Sequence, residues 1–306
     1  MRTAVAHAEV VRDRAKILAR PLPVAPTPLR TPGDDKDALR PFLKWVGGKR
    51  ALLPVLNANS PKTFGRYHEP FVGGGAVFFN LAQRKALPKG AVLSDNNERL
   101  IRAYRGVRDS VEHVISLLQE YPYEKNFYLA MRERPIDAAT DAEVAAWFIY
   151  VNRTGFNGLY RVNQKNQFNV PFGDYTNPKI CDAENLRACA KALSQAELRC
   201  EPFDLVAERA APGDFVYFDP PYVPLSTTSS FTSYTANGFG HAHQQKLANV
   251  ARSLKARGVH VLLSNSSAPL VRELYSEGFA TIEVHAARSV NSRGDGRGKI
   301  VELLMR

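Results

Sequence analysis

Phe215-Val216-Tyr217-Phe218-Asp219-Pro220-Pro221-Tyr222 constrains the fold of this chain more than any other stretch. Four consecutive apolar residues read as a strand buried on both faces, the pattern of a parallel sheet. Two prolines then end the strand, because neither can donate to a sheet ladder. Open parallel sheets carry their ligand sites beyond the carboxyl ends of their strands. A carboxylate, a rigid carbonyl-bearing turn and an aromatic ring therefore fall where chemistry is expected.

Group transfer to an exocyclic amine on an aromatic ring needs two acceptors for its two N–H bonds. Asp219 and a proline-fixed carbonyl supply them, and Tyr222 offers a flat ring to stack on the base. The same four residues also read as a plain turn closing a core strand, with Asp219 as a capping residue. The tetrapeptide alone leaves both readings open.

The 306 residues allow one large domain or a domain with an insertion. A net charge of +11 points to a polyanionic partner, nucleic acid before membrane. No apolar run reaches membrane-spanning length, and the N-terminus lacks the apolar core of a secretory signal. Cys181, Cys189 and Cys200 show no metal-ligand spacing and read as reduced thiols of a cytoplasmic protein. His241 and His243 have no evident third ligand, so no metal is expected. Nothing in the sequence calls for an obligate protein partner.

Residues 1–40 read as a disordered, proline-rich extension, with Pro21, Pro23, Pro26, Pro28 and Pro32 in quick succession. Phe42–Arg50 contains Gly47-Gly48-Lys49 but lacks the first glycine and the Ser/Thr of a phosphate loop. It reads as a turn into a helix, or as a lid over a small ligand with Trp45 as one wall. Tyr67–Gly75 reads as strand and glycine turn, with a helix over Ala76–Ala82. Phe78 stands where a dinucleotide fingerprint needs its third glycine, so a nucleoside without pyrophosphate fits better. Strand Ala91–Asp95 ends in an acid about 20 residues past Gly75, the offset at which a carboxylate accepts from ribose hydroxyls. Asp95 also reads as a cap for the helix beginning near Asn97, and the two roles are compatible. The helical pattern runs from Asn97 to Gln119, and Thr140 with Glu143 forms a capping box opening a helix to about Tyr150.

Between Val151 and Ile180 there is one acid, Asp174, against Arg153, Arg161, Lys165 and Lys179, with six asparagines and five aromatic rings. Gly158–Asn163 and Gln167–Pro171 alternate around Lys165-Asn166 as a β-hairpin would. Basic and amide side chains with interleaved rings suit a surface that reads and stacks on bases. On that alternation Leu159, Arg161 and Asn163 share one face, and Lys165 sits at the turn near phosphate. Pro224–Gly240 reads as a lid beside the site. Helices over His243–Arg257 and Pro269–Glu277 and strands over Val259–Leu263, Ala280–Val284 and Ile300–Met305 complete the chain. The last two strands flank a glycine-rich basic loop at 291–298.

FLKWVGGK, EPFVGGGAVFFN, LSDNNERLI, NRTGFNGLYRVNQKNQFNVPFG and DPPY, in that order over about residues 41–306, resemble the Dam-like DNA adenine-N6 methyltransferases. The resemblance implies an α/β, Rossmann-like methyltransferase sheet with a reversed last strand and an inserted small helical and β-hairpin recognition domain. Catalytic segments would span 41–95 and 200–306, and recognition 96–199 with its hairpin at 152–173. It assigns Trp45, Lys49, Phe71, Gly73, Gly75, Asp95 and Asp219 to S-adenosylmethionine, and Asp219, Pro220 and Tyr222 to the flipped adenine, with Pro221 in the same catalytic turn. Lys44, Arg153, Phe156, Asn157, Leu159, Arg161 and Pro171 match positions near double-stranded DNA, with Lys165 added from the hairpin. Phe156 departs from relatives with tyrosine there, losing a hydroxyl while keeping a ring. The implied location is the cytoplasm, at the nucleoid, and the implied target GATC. An RNA or protein-glutamine amino-methyltransferase and a non-catalytic DNA-binding protein remain alternatives.

Overall fold

The computed structural model describes residues 39–223, 239–287 and 299–306. The proline-rich extension up to 38, most of the expected lid and the basic loop at 291–298 lie outside the described residues. Seven strands form one sheet: β1 (Tyr67–Glu69), β2 (Ala91–Asp95), β3 (Ala196–Cys200), β4 (Phe215–Phe218), β5 (His260–Ser266), β6 (Thr281–Ala287) and β7 (Lys299–Met305). Their order is β3-β2-β1-β4-β5-β7-β6. All neighbours from β3 to β5 run parallel, whereas β7 runs antiparallel to both β5 and β6. This is the doubly wound sheet with a reversed last strand that the resemblance implies.

The strand order reverses between β1 and β4. Their carboxyl ends therefore open a crevice at the topological switch point. β1 delivers the glycine turn there, and β4 delivers Asp219.

β4 is buried on both faces, with each of its residues at 0% exposure. Phe215 and Tyr217 join the core beneath helices α2 (Ala76–Gln83), α3 (Glu98–Asp109), α4 (Val111–Glu120) and α7 (Ala183–Leu193). Val216 and Phe218 face the opposite core, under α9 (His241–Ala256) and α10 (Pro269–Leu274). The remaining described helices are α1 (Leu53–Asn59), α5 (Lys125–Glu133), α6 (Asp141–Thr154) and α8 (Val206–Arg209).

The expected helix from Asn97 to Gln119 is two helices, broken at Ser110, where φ of −144° leaves the helical basin. The capping box at Thr140 and Glu143 is present, and α6 continues four residues past the expected end. Val151, Asn152 and Thr154 in that extension are buried, so packing rather than propensity extends it. β3 pairs with β2 along its whole length, from Ala91 with Ala196 to Asp95 with Cys200.

Candidate active site and nucleic-acid interface

Beyond β4, Asp219 caps no helix among the described residues. Its Oδ1 lies 2.9 Å from Lys49 Nζ, and the lysine side chain is only 4% exposed against 22% for the aspartate. The same Nζ donates to the Gly47 carbonyl and lies 4.8 Å from the centroid of the Tyr222 ring. Tyr222 in turn donates its hydroxyl to Glu302 Oε2 at 2.7 Å. Burial pushes the Asp219 carboxyl up to about 6, with Lys49 opposing that rise. Burial also holds the Tyr222 hydroxyl well above its ordinary value, which keeps it a donor. Lys49 thus links the carboxylate to the ring, and β7 fixes the ring through Glu302.

The glycine turn follows β1, which stops at Glu69 and leaves Phe71 outside the sheet. Gly73 sits at φ +46°, and a Cβ there would lie 2.5 Å from the Trp45 indole nitrogen, so only glycine admits the tryptophan. Trp45 stacks between this turn and the rings of Phe148 and Tyr160, at 6.4 and 6.2 Å. Asp95 Oδ2 accepts from Gly73 N at 3.3 Å and its Oδ1 from Asn97 N at 3.0 Å. The cap of α3 belongs to Asn97, whose Oδ1 accepts from Leu100 N. Asp95 therefore ties the end of β2 to the glycine turn, and burial raises its carboxyl to about 6. Phe71 stacks on Phe203 at 5.2 Å and meets Phe239 edge-on at 5.6 Å.

Sequence reasoning missed Glu302, Phe203 and Glu69. Glu69 is buried at the end of β1, accepting from Tyr67 Oη at 3.0 Å and from Phe78 N at 3.2 Å. Its place in Glu69-Pro70-Phe71, directly before the glycine turn, was the available signal. Glu302 lies inside an apolar strand run, and Phe203 in Glu201-Pro202-Phe203-Asp204 has no glycine turn after it, so neither carries such a signal.

A second surface forms where α6 ends. Gly155 leads into a single tight turn, Phe156–Gly158, with Asn157 at φ +54° and Gly158 at φ +64°. Phe156 stands 44% exposed, the exposed large hydrophobic side chain among the described residues. Buried Asn152 stitches this turn to the segment before Trp45: its Oδ1 accepts from Lys44 N, and its Nδ2 donates to the carbonyls of Lys44 and Gly158. A Cβ on Gly158 would meet the Lys44 stem at 2.6 Å. Lys44 is exposed, with Nζ 4.6 Å over the Tyr175 ring. Phe156 N also donates to the Pro171 carbonyl at 2.9 Å. Lys44, Phe156, Asn157 and Pro171 are thereby brought together.

The rest of the expected set is divided. Arg153 is half-buried and donates to the Phe42 carbonyl at 2.9 Å, pointing into the framework. The hairpin is less regular than the alternation predicts: two isolated bridges, Gly155 to Phe172 and Val162 to Phe168, replace continuous strands. Leu159 packs half-buried against the core, while Asn163 Oδ1 accepts from Lys165 N and Gln167 N and so builds the turn. The expected common face of Leu159, Arg161 and Asn163 is therefore not presented as one. Arg161 is exposed, steadied by Nε donating to Asn169 Oδ1 at 2.7 Å. Lys165 is exposed at the tip.

The sequence pattern of the D12 class N6 adenine-specific DNA methyltransferases matches residues 45–290. The chain is 44% identical over 279 residues to the Type II methyltransferase M1.LlaDCHI of Lactococcus lactis subsp. cremoris, spanning 89% of this chain and 96% of that protein. It is 42% identical over 286 residues to the Type II methyltransferase M.MjaIII of Methanocaldococcus jannaschii, spanning 87% and 98%. With the DNA adenine methylase of Escherichia coli K12 it shares 38% over 269 residues, spanning 87% and 94%. Family pattern and near full-length relatives agree with the strand-end turn: the chain belongs to the D12 class N6 adenine-specific DNA methyltransferases.

Proposed function

We propose that the chain methylates the N6 amine of an adenine flipped out of double-stranded DNA, with GATC as its target site. The observation that carries this reading is the strand-end carboxylate of Asp219, paired with buried Lys49 beside a Pro-Pro turn, on a molecule that also presents the exposed ring of Phe156.

S-adenosylmethionine, the methyl donor of this family, supplies an electrophilic methyl on a sulfonium cation when bound. The residues present fit it. Asp95 and Asp219 are two carboxylates held in low-dielectric surroundings, each suited to a hydroxyl pair or a cationic group. Asp95 would accept from the ribose hydroxyls, and Asp219 with Lys49 would meet the amino-acid end. Trp45, Phe71 and the Gly73–Gly75 turn would line the nucleoside.

Asp219 and the Pro220 carbonyl would accept the two N–H bonds of the adenine amine, drawing its lone pair out of conjugation. Tyr222 would stack on the base, with Pro221 keeping the turn rigid. In the free protein Lys49 Nζ lies over one face of the Tyr222 ring. Positioning and fixed acceptors carry most of such a rate.

Extruding adenine costs about a few kcal/mol in unstacking and unpairing. Phe156 would fill the vacated stack, with Lys44, Asn157, Leu159 and Pro171 near the DNA around it. Arg161 would donate to a guanine edge and Lys165 to phosphate. Arg153 would act through Phe42 and the segment that carries Lys44. Residues 41–95 and those from β3 onward form the catalytic part in this reading, and the stretch between them the recognition part. A cytoplasmic location beside DNA follows from the substrate.

Incubation with labelled S-adenosylmethionine and duplex DNA, RNA or a protein mixture tests the reading. Label in N6-methyladenine of duplex DNA alone, in one sequence context, is the expected result. Label in RNA or protein contradicts it.

A further inference from the structure

The turn that follows β4 is held from behind by three buried side chains. Gln244, on the first turn of α9, is 1% exposed; Asn265 and Ser266, at the end of β5, are 0% and 4% exposed. Gln244 Nε2 donates to the Pro221 carbonyl at 3.0 Å, and Asn265 Nδ2 donates to Gln244 Oε1 at 3.0 Å. Asn265 Oδ1 accepts from Ser266 N at 2.8 Å and, more loosely, from Val223 N at 3.4 Å. Ser266 Oγ donates to the Val223 carbonyl at 2.7 Å.

The direction of this chain is forced. Backbone N–H groups can only donate, so they fix which end of the Asn265 amide faces them. The opposite end must then donate to Gln244, whose own N–H₂ is left for the Pro221 carbonyl. An apolar filling would pack this space equally well, whereas a satisfied buried amide chain specifies one geometry. Among the described residues, the Pro220 carbonyl accepts no hydrogen bond, while the next carbonyl along is engaged.

We infer that Gln244, Asn265 and Ser266 are positioning residues for methyl transfer. By engaging the carbonyls of Pro221 and Val223 they fix the peptide planes of the turn and leave the Pro220 carbonyl aimed at the amine. The inference rests on the proposed role of Asp219 and Pro220 as amine acceptors. None of the three side chains touches the reacting atoms.

Gln244→Met keeps the length of the side chain and removes its hydrogen bonds. Single-turnover methylation of a duplex should fall by about tenfold or more, the scale of a modest misplacement of reacting groups. The dissociation constants for S-adenosylmethionine and for the duplex, and the stoichiometry of cofactor binding, should stay within about twofold, since the clamp touches neither ligand. A wild-type rate in the folded variant overturns the inference. Should Gln244→Met bind no cofactor, Ser266→Ala decides: it removes one hydroxyl, and it should slow the chemical step severalfold at unchanged affinities, with full rate again overturning it. Asp219→Asn run alongside separates the two levels. Full activity of that variant removes the acceptor reading and the clamp with it, whereas an inactive Asp219→Asn beside full-speed clamp variants overturns the clamp alone.

Discussion

Replacing Glu69 by glutamine should leave stability little changed at pH 6 and raise it at pH 8.5. Glu69 is 3% exposed, and burial pushes its carboxyl from 4.5 up to about 8, with the nearby Asp219 charge adding to the rise. A raised carboxyl pKa means the folded state holds the proton more tightly than the unfolded state. The benefit is complete below about 4.5 and is lost as pH climbs through about 8. At about 1.36 kcal/mol per unit, the burden on the wild type grows from about 2 kcal/mol at pH 6 to about 5 kcal/mol above pH 8. Glutamine copies the neutral acid in shape and keeps an oxygen for Tyr67 Oη and Phe78 N. Against this stands about 1–3 kcal/mol if the new N–H₂ finds no acceptor. The two effects are comparable at pH 6, and the first wins clearly at pH 8.5. Urea unfolding of both proteins at the two pH values should therefore show the variant gaining about 3 kcal/mol on the wild type between them. Asp95 titrates in both proteins and cancels in the difference, whereas the charge of Asp219 adds to the burden on the wild type alone. Parallel pH dependences would refute the buried neutral acid.

Asp95→Ala should weaken S-adenosylmethionine binding by about 1.5–3 kcal/mol, the scale of charge-assisted hydrogen bonds, and an unchanged dissociation constant by calorimetry would leave Asp95 only its bonds to Gly73 and Asn97. In the free enzyme kcat/KM should fall as pH drops through about 6, where Asp219 takes up a proton and becomes a weaker, uncharged acceptor; a flat profile from pH 5 to 8 contradicts that assignment. Phe156→Ala should lower target-base extrusion, read by 2-aminopurine fluorescence, while cofactor affinity holds; undiminished fluorescence would show that the exposed ring is not a wedge. Arg161→Ala should relax discrimination at one guanine by about 1–3 kcal/mol, whereas Lys165→Ala should weaken all duplexes alike and flatten the salt dependence. Equal losses of both variants on every duplex would reduce the hairpin to a clamp.

What the sequence made legible was local. β2 ends at Asp95 as read, because an apolar run closed by an acid has few other solutions. The capping box at Thr140 likewise needs only residues three apart. The reading failed where distant chain segments decide. Alternation over 158–171 promised strands, but Asn163 turns its amide inward and Arg161 is steadied by Asn169, so the ladder shrinks to isolated bridges. The helix expected to reach Glu277 stops at Leu274. Glu302 reaches Tyr222 across 80 residues and Gln244 reaches Pro221 across 23, separations on which periodicity is silent. The carboxylate at the strand end was visible; the partners that fix its surroundings were not.

The most direct measurement is single-turnover methylation of a duplex by Asp219→Ala, with cofactor and duplex affinities taken on the same preparation. Phosphate neutralisation elsewhere carries most of the DNA affinity, so duplex binding should survive while N6-methyladenine formation falls to background. Substantial turnover by a folded, duplex-binding Asp219→Ala would contradict the assignment of Asp219 as an acceptor for the amine.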